Sequence, residues 1–133
     1  MGILVDTSVW INFFNGSDSP SVHILEELIV AEEDIVISDL ILAEILPGFR
    51  KDRDFTAARD HLLGFRICSL KTVESYIKAA QIYRDGRKKG LTIRSTIDCI
   101  IAQVAIEHDH AILHQDRDFD RIASIRPLTI YTA

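Results

Sequence analysis

The chain has 133 residues, of which 47% are hydrophobic, and its formal net charge is −5. This length and hydrophobic content suit one domain with a substantial core, whereas the acidic balance excludes a protein that coats nucleic acid by bulk positive charge. No apolar run approaches the roughly 18 residues that cross a bilayer, and no signal peptide is recognisable before Asp6, so we expect a cytoplasmic protein.

Short apolar runs rich in β-branched residues alternate with segments of helical periodicity along the chain. The runs that predict strands are 3–5, 35–37, 66–69, 111–114 and 128–131, of which 66–69 is weak and expected at an edge. The segments that predict helices are 9–14, 20–29, 39–49, 54–63, 73–90, 96–105 and 117–124. We therefore predict a single α/β domain spanning 1–133, with a mainly parallel central sheet flanked by helices.

Small polar residues mark the predicted starts of these helices, because their side chains can accept a hydrogen bond from a free backbone N–H of the first turn. The predicted N-caps are Ser19, Ser38, Asp54, Thr96 and one of Thr7 and Ser8. Pro47 is expected to bend or end the third helix.

Four acidic residues stand out by their positions. Asp6 and Asp116 each follow a predicted strand, and Glu44 and Asp98 each interrupt an apolar stretch. In open α/β sheets, ligands bind in the crevice outside the carboxyl ends of the strands. We therefore expect these carboxylates to meet at that edge of the sheet.

Clustered carboxylates on a half-buried surface need compensation. Two of them about 4 Å apart repel by roughly 4 kcal/mol at an effective dielectric constant of 20. Such a cluster holds protons or binds Mg²⁺ or Mn²⁺, which prefer oxygen ligands. Taken singly, Asp98 also fits a residue that complements a helix N-terminus, and Glu44 also fits a residue that points to solvent beside Pro47.

Other metal and phosphate chemistries are less well matched. The alternating acids from Asp116 to Asp120 lack the Gly and Glu that an EF-hand needs, since Arg121 and Pro127 stand there. Cys68 and Cys99 lack the spacing of a disulfide or zinc pair, which indicates buried, reduced thiols. His108 and His110 lack a third ligand with zinc spacing, so we expect them at the surface or beside a site rather than in one. A phosphoacceptor receiver domain and a haloacid-dehalogenase-type phosphatase need acids or a lysine that this chain does not have at the corresponding positions.

Four motifs in order resemble the PIN domain, and more closely the VapC toxins of bacterial toxin–antitoxin pairs. They are Ile-Leu-Val-Asp-Thr-Ser-Val-Trp-Ile at 3–11, the helix that carries Glu44, Thr-Ile-Arg-Ser-Thr-Ile-Asp-Cys-Ile-Ile-Ala at 92–102 and Leu-His-Gln-Asp-Arg-Asp-Phe-Asp at 113–120. The resemblance covers nearly the whole chain. It implies a PIN fold and an Mg²⁺- or Mn²⁺-dependent endoribonuclease whose acids are Asp6, Glu44, Asp98 and Asp116, with Asp118 fitting the last motif as well. It also implies a homodimer and inhibition by a cognate VapB antitoxin, which inserts a C-terminal segment at the active site.

These residues suggest a division of roles. We expect Asp6 and Asp98 to bind metal directly, and Glu44 and Asp116 to bind it through water or to orient the attacking water. Thr7 or Ser8 would bond a phosphate oxygen or fix Asp6, unless either only caps its helix. The basic residues expected to hold the RNA backbone, unless they only solvate a helix end, are Arg84, Arg87, Lys88, Lys89 and Arg94. The alternative function is a non-catalytic PIN-like module that binds RNA or protein.

Overall fold

The computed structural model describes residues 1–132, and within them one four-stranded sheet forms the centre of the molecule. Its strands are β1 (Ile3–Val5), β2 (Ile35–Ser38), β3 (Arg66–Cys68) and β4 (Ala111–Leu113), and they lie in the order β3-β2-β1-β4. Every pairing between them is parallel. Every residue of β1, β2 and β4 is buried, as uninterrupted apolar runs require. The strand β3 lies at an edge with two exposed residues, which confirms its predicted place.

Helices connect and cover these strands. They are α1 (Thr7–Phe14), α2 (Pro20–Val30), α3 (Asp39–Ile45), a short 3₁₀ helix (Leu46–Gly48), α4 (Asp52–Leu62), α5 (Val73–Lys88), α6 (Thr96–Glu107) and α7 (Arg117–Ala123). The largest fully buried side chains join the sheet to the helices in one core, and they include Trp10, Phe119, Leu4, Leu25, Ile37, Ile101 and Ile112. None of the helices within residues 1–132 combines the length and apolar character needed to cross a membrane.

The strand order creates a topological switch point beside β1. The chain adds β2 and then β3 on one side of β1, and it later returns to add β4 on the other side. The connections therefore diverge between β1 and β4, which opens a crevice at the carboxyl ends of these two strands. Asp6 directly follows β1, and Asp116 lies three residues beyond the end of β4.

The predicted final strand is wrong. Residues 128–131 form a single parallel bridge between Ile130 and Ile112 and no continuous strand. Two hydrogen bonds to the backbone of Ile112 hold the segment beside β4, one from the Ile112 N–H to the Thr129 carbonyl and one from the Tyr131 N–H to the Ile112 carbonyl. Pro127 has no N–H and so cannot donate a ladder bond, which limits the pairing at its beginning.

Three predicted caps are also wrong. Asp6, not Thr7 or Ser8, caps α1, and Ser95, not Thr96, caps α6. Helix α4 begins at Asp52 without a side-chain cap, and Asp54 lies inside its first turn. In each case the capping residue has extended backbone angles, and several adjacent residues carry side chains able to cap. Ser19 and Ser38 are caps as predicted, and α3 ends at Ile45, two residues before Pro47.

Candidate active site

Asp6 lies at the point where β1 becomes α1. One of its oxygens, Oδ2, accepts hydrogen bonds from the Ser8 N–H at 3.2 Å and the Ser8 hydroxyl at 2.8 Å. The other oxygen, Oδ1, is buried and has no hydrogen-bond partner within residues 1–132. Burial raises the pKa of Asp6, although the bonds from Ser8 oppose this shift and the charge of Asp116 adds to it. An unpaired buried carboxylate oxygen is costly unless a cation or proton compensates it.

Asp98 projects from the first turn of α6 toward the same place. One carboxylate oxygen from each of Asp98, Asp116 and Asp118 lies within 4.8 Å of the other two. Burial, the hydrogen bond with Asp116 and the charge of Asp6 together raise the pKa of Asp98 to about 8. At neutral pH and without metal, this group therefore holds a proton, as expected when several carboxylates share one site.

Asp116 differs from Asp98 in its charge state. It caps α7, where its Oδ1 accepts the Asp118 N–H at 3.0 Å and lies 3.3 Å from a guanidinium nitrogen of Arg94. Burial raises the pKa of Asp116, but the Asp118 N–H, the Asp98 carboxyl and Arg94 outweigh that effect, so the net shift is downward. The site thus holds a protonated Asp98 beside an ionised Asp116.

Glu44 reaches the site from α3. Its Oε1 accepts a 2.8 Å hydrogen bond from the Thr7 hydroxyl. Burial raises the pKa of Glu44, the Thr7 hydrogen bond opposes this shift, and the charge of Asp6 adds to it. Within residues 1–132, the structure gives no hydrogen bond between Glu44 and Asp98 or Asp116. Glu44 therefore belongs to the side of the site formed by Asp6 and Thr7.

Asp118 has different partners from the other acids. Its side chain is only 1% exposed, and both of its oxygens are occupied. Oδ2 accepts the backbone N–H of Arg94 at 2.9 Å, whereas Oδ1 lies 2.9 Å from Arg121 Nη1 and 3.7 Å from Arg94 Nε. These bonds tie the segment before α6 to α7. Of the two acids that fit the last motif, Asp116 is thus the one with fewer competing cations.

The predicted basic residues separate into two groups. Arg94 contacts Asp116 and Asp118. Arg84 and Arg87 instead contact residues of their own helix, α5, since Arg84 bonds Gln81 and Arg87 lies over the ring of Tyr83. Within residues 1–132, no hydrogen bond or ion pair joins Arg84, Arg87 or Lys88 to the acids. Their contact with RNA remains a prediction.

Several contacts around the site were not predicted from sequence. The Ser8 hydroxyl accepts the Gln115 N–H at 3.0 Å, which joins the ends of β1 and β4. His114 Nδ1 accepts the Asp116 N–H at 3.0 Å and so orients Asp116, the site acid two residues after it. Arg117 and Arg121 line a cavity that also includes Ser8 and Asp116. The only sequence signal for these contacts is the basic residues beside Asp116 in the motif at 113–120.

A second group of possible metal ligands lies elsewhere, formed by Cys68, His108 and His110. His110 is buried, contrary to a surface position, and its Nδ1 accepts the Gly2 N–H at 3.0 Å. The proton of the neutral ring is therefore on Nε2, which faces the Cys68 sulfur at 3.9 Å. Burial raises the pKa of Cys68 and lowers that of His110, so both groups are neutral. This arrangement is a buried thiol–imidazole pair, and Cys99 is a second buried free thiol as predicted.

The acid site fits a divalent cation by two observations. Its donors are all carboxylate oxygens, which hard cations such as Mg²⁺ and Mn²⁺ prefer. Asp6 Oδ1 is buried with no partner in the described chain. The charge of Asp6 acts on Asp98, and the charge of Asp116 acts on Asp6. A cation here would compensate the repulsion that otherwise keeps Asp98 protonated.

The fold and acid site define a class of protein. The family model described as "PIN domain" matches residues 3–125. The chain is also 36% identical over 127 residues to VapC ribonuclease Mb1587 of Mycobacterium bovis and to Ribonuclease VapC11 of Mycobacterium tuberculosis, with 95% of each chain covered. This chain therefore belongs to the PIN-domain family and, within it, to the VapC ribonucleases.

Solved structures agree on the fold. VapBC2 from Rickettsia felis, bound to a DNA fragment from its promoter, superposes with a TM-score of 0.74 at 22% identity, covering 98% of both chains. VapC20 of Mycobacterium tuberculosis, described as a sarcin-ricin-loop-cleaving toxin, gives a TM-score of 0.69 at 20% identity, covering 90% of this chain and 93% of that one. The predicted PIN fold with a parallel central sheet is thereby confirmed.

Proposed function

We propose that this chain is a Mg²⁺- or Mn²⁺-dependent endoribonuclease that acts in the cytoplasm as the toxin of a VapBC toxin–antitoxin pair. The observation that carries the proposal is the buried Oδ1 of Asp6, which has no hydrogen-bond partner among the described residues 1–132 and stands at the switch point beside Asp98 and Asp116. Relatives named as ribonucleases, aligned over 95% of the chain, support the reaction class.

The site side chains have different proposed roles in holding the metal ion and the attacking water. Asp6 and Asp98 supply direct ligands, since both are buried and face one another's charge. Asp116 and Glu44 would hold the ion through water or orient the water that attacks phosphorus. A bound divalent ion stabilises charge on the scissile phosphate and makes a coordinated water more acidic. Ser8 fixes the position of Asp6, and Thr7 fixes that of Glu44 rather than capping α1.

A nuclease assay with matched variants tests this proposal. Asp98 is the third residue of α6, and Asp54 is the third residue of α4, so both place a carboxylate at the same helical position. We expect Asp98→Asn to abolish RNA cleavage in Mn²⁺ and growth arrest in cells, and Asp54→Asn to leave both unchanged. EDTA should stop cleavage by the wild type. Wild-type protein that binds RNA but cleaves none in either metal would support the non-catalytic module instead.

We propose that the cognate VapB-type antitoxin binds in an apolar groove beside Glu44. A cavity of about 280 Å³ is lined by Ile11, Phe14 and Phe49 as well as by Glu44. A second cavity shares Phe14 and Phe49 and extends the groove toward His61. A segment lying here would reach the acid site directly. The structural neighbours, which include toxin–antitoxin complexes, support a protein partner of this kind.

Substitution of an exposed residue in the groove tests the proposed antitoxin site. Ile11→Glu should weaken capture of the antitoxin encoded beside this gene, because it places a charge in an apolar contact. Val30→Glu is the matched control, since Val30 is exposed on α2 outside the groove. Equal capture by both variants would exclude this groove as the main contact.

We also propose a homodimer formed through α5. Val73, Tyr76 and Ile77 follow helical spacing and are 80%, 52% and 57% exposed. Contiguous exposed apolar side chains mark interaction surfaces. Ile77→Glu should convert a dimer to a monomer in light scattering, whereas Val30→Glu should not. A wild-type monomer at all concentrations would contradict this part of the proposal.

A further inference from the structure

A cavity of about 560 Å³ adjoins the acid site on the side of α7. Three arginines, Arg94, Arg117 and Arg121, line it together with Thr92, and Ser8 and Asp116 form its boundary with the acids. Its volume lies within the roughly 300–1,000 Å³ typical of small-ligand sites, so it has room for one nucleotide unit. The residues that form this arginine cavity come from the segment before α6 and from α7.

Asp118 holds two of these arginines in place. It accepts the backbone N–H of Arg94 and the guanidinium of Arg121, both at 2.9 Å, and it is almost completely buried. A buried carboxylate with both oxygens paired stabilises one arrangement of its partners strongly, because breaking the pair would leave a buried charge. Arg117 makes no ion pair with any residue within 1–132, and it is exposed. Asp118 therefore fixes the guanidinium of Arg121 and the backbone of Arg94, whereas the exposed guanidinium groups of Arg94 and Arg117 are accessible to a ligand.

The lining favours phosphate over a base. None of the residues that line the cavity is aromatic, so a stacked base would lack its usual platform. Planar guanidinium groups match the oxygens of a phosphate in pairs. Three arginines converge here in a chain whose formal net charge is −5, and directly beside a group of acids that would repel RNA. Such local positive charge offsets that repulsion at the entrance to the site.

We propose that Arg94, Arg117 and Arg121 bind the RNA phosphate next to the scissile one, and that Asp118 is the residue that positions two of them. The inference rests on the proposed ribonuclease function. It gives Asp118 a role distinct from the metal-binding acids, although Asp118 fits the same sequence motif as Asp116. The cavity then sets the register of the RNA strand, because it lies on one side of the acids only.

The test is equilibrium binding of a short single-stranded RNA in EDTA, which measures affinity without turnover. We expect the Arg94→Gln, Arg117→Gln double variant to bind at least about tenfold more weakly than the wild type at low salt. The slope of log affinity against log salt concentration should decrease by about 0.7, the value for one phosphate contact on a single strand. Asp118→Asn should weaken binding in the same direction while leaving the Mn²⁺-induced rise in melting temperature intact.

Arg66→Gln is the matched control. Arg66 begins β3 and pairs with Asp34 at the amino ends of the strands, which is the edge opposite the acid site in a parallel sheet. This variant should bind RNA as the wild type does. If the double variant and Arg66→Gln have the same affinity for RNA and the same dependence of affinity on salt, the phosphate site is overturned, even if the wild type cleaves RNA. If the wild type cleaves no RNA but the double variant loses RNA binding measured in EDTA, the result would support the phosphate site and reject the nuclease function.

Discussion

The hydroxyl of Thr7 donates a 2.8 Å hydrogen bond to Glu44, and this bond joins the first turn of α1 to α3. Thr7 directly follows Asp6, so the bond sets the position of one site carboxylate relative to another. Within residues 1–132, it is the one hydrogen bond that the structure gives to the Glu44 side chain.

Replacing Thr7 with valine should therefore impair cleavage without unfolding the protein. Valine keeps the shape of threonine and removes the donor, and a hydrogen bond to a charged group contributes about 1.5 kcal/mol. We expect kcat/KM for RNA to decrease roughly tenfold in Thr7→Val. Thr7→Ser keeps the hydroxyl and should retain most activity. A fully active valine variant would show that the position of Glu44 does not depend on this bond.

Relative to Asp98→Asn, the metal-free wild type should gain stability as the pH falls from about 8 to about 5, a comparison that cancels the opposite contribution of His110, whose pKa is lowered by burial. The pKa of Asp98 is raised to about 8, so in this range the folded state retains a proton that the unfolded state releases. By linkage, this proton makes the free energy of unfolding decrease as the pH rises. The raised pKa values of Asp6 and Glu44 act in the same direction. Urea unfolding in EDTA across this pH range measures the effect. Asp98→Asn should show a flatter profile; an unchanged profile would contradict the assignment of the proton to Asp98.

Mn²⁺ should stabilise the folded wild type by mass action. A ligand at 100 times its dissociation constant contributes about 2.7 kcal/mol when it binds only the native state. We expect an increase of several degrees in melting temperature for the wild type and a much smaller increase for the Asp6→Asn, Asp98→Asn double variant. The Asp52→Asn, Asp54→Asn double variant removes two carboxylates from α4 and should respond as the wild type does. Equal increases in all three proteins would place the ion elsewhere.

The RNA products should carry a 5′-phosphate and a 3′-hydroxyl. Water that attacks phosphorus in line with the departing 3′ oxygen leaves these ends, whereas attack by the ribose 2′-OH leaves a cyclic phosphate. His110 is held by Gly2 and faces Cys68, so it offers no acid–base pair for the second route. Ligation of the fragments through their 5′ ends without kinase treatment checks the prediction. Cyclic ends formed in EDTA would redirect attention to His114, the histidine nearest the acids along the chain.

The proximity of Asp6 to Asp98 was predictable from sequence because the local pattern carries the relevant information. Asp6 ends a fully apolar strand, and Asp98 stands on the apolar face of its helix, so burial and proximity followed from position alone. The pairing of Asp118 with Arg94 and Arg121 did not follow, because 24 residues separate Asp118 from Arg94 and only the tertiary fold brings them together. The same holds for the Ser8–Gln115 contact, which spans 107 residues.

Some local details were also beyond the sequence. Ser95 and Thr96 are equally able to cap α6, and the choice depends on which residue has the extended backbone angles when the helix docks. Residues 128–131 have the composition of a strand, yet pairing needs a partner edge along their whole length, and only Ile130 forms a bridge. The edge position of β3 was predicted because residues 66–69 are less apolar than the runs that predict the other strands, and the first two residues of β3 are exposed.

The late arrival of β4 has a consequence for synthesis. The Asp6 N–H bonds the Leu113 carbonyl, and Asp116 follows β4, so the acid site combines residues from both ends of the chain. A nascent chain that has not yet supplied residues 111–116 therefore has β1 exposed as an edge and lacks Asp116, one of the four site acids. We therefore expect fragments truncated before β4 to cleave no RNA, and toxicity to begin only after β4 and Asp116 have been synthesised.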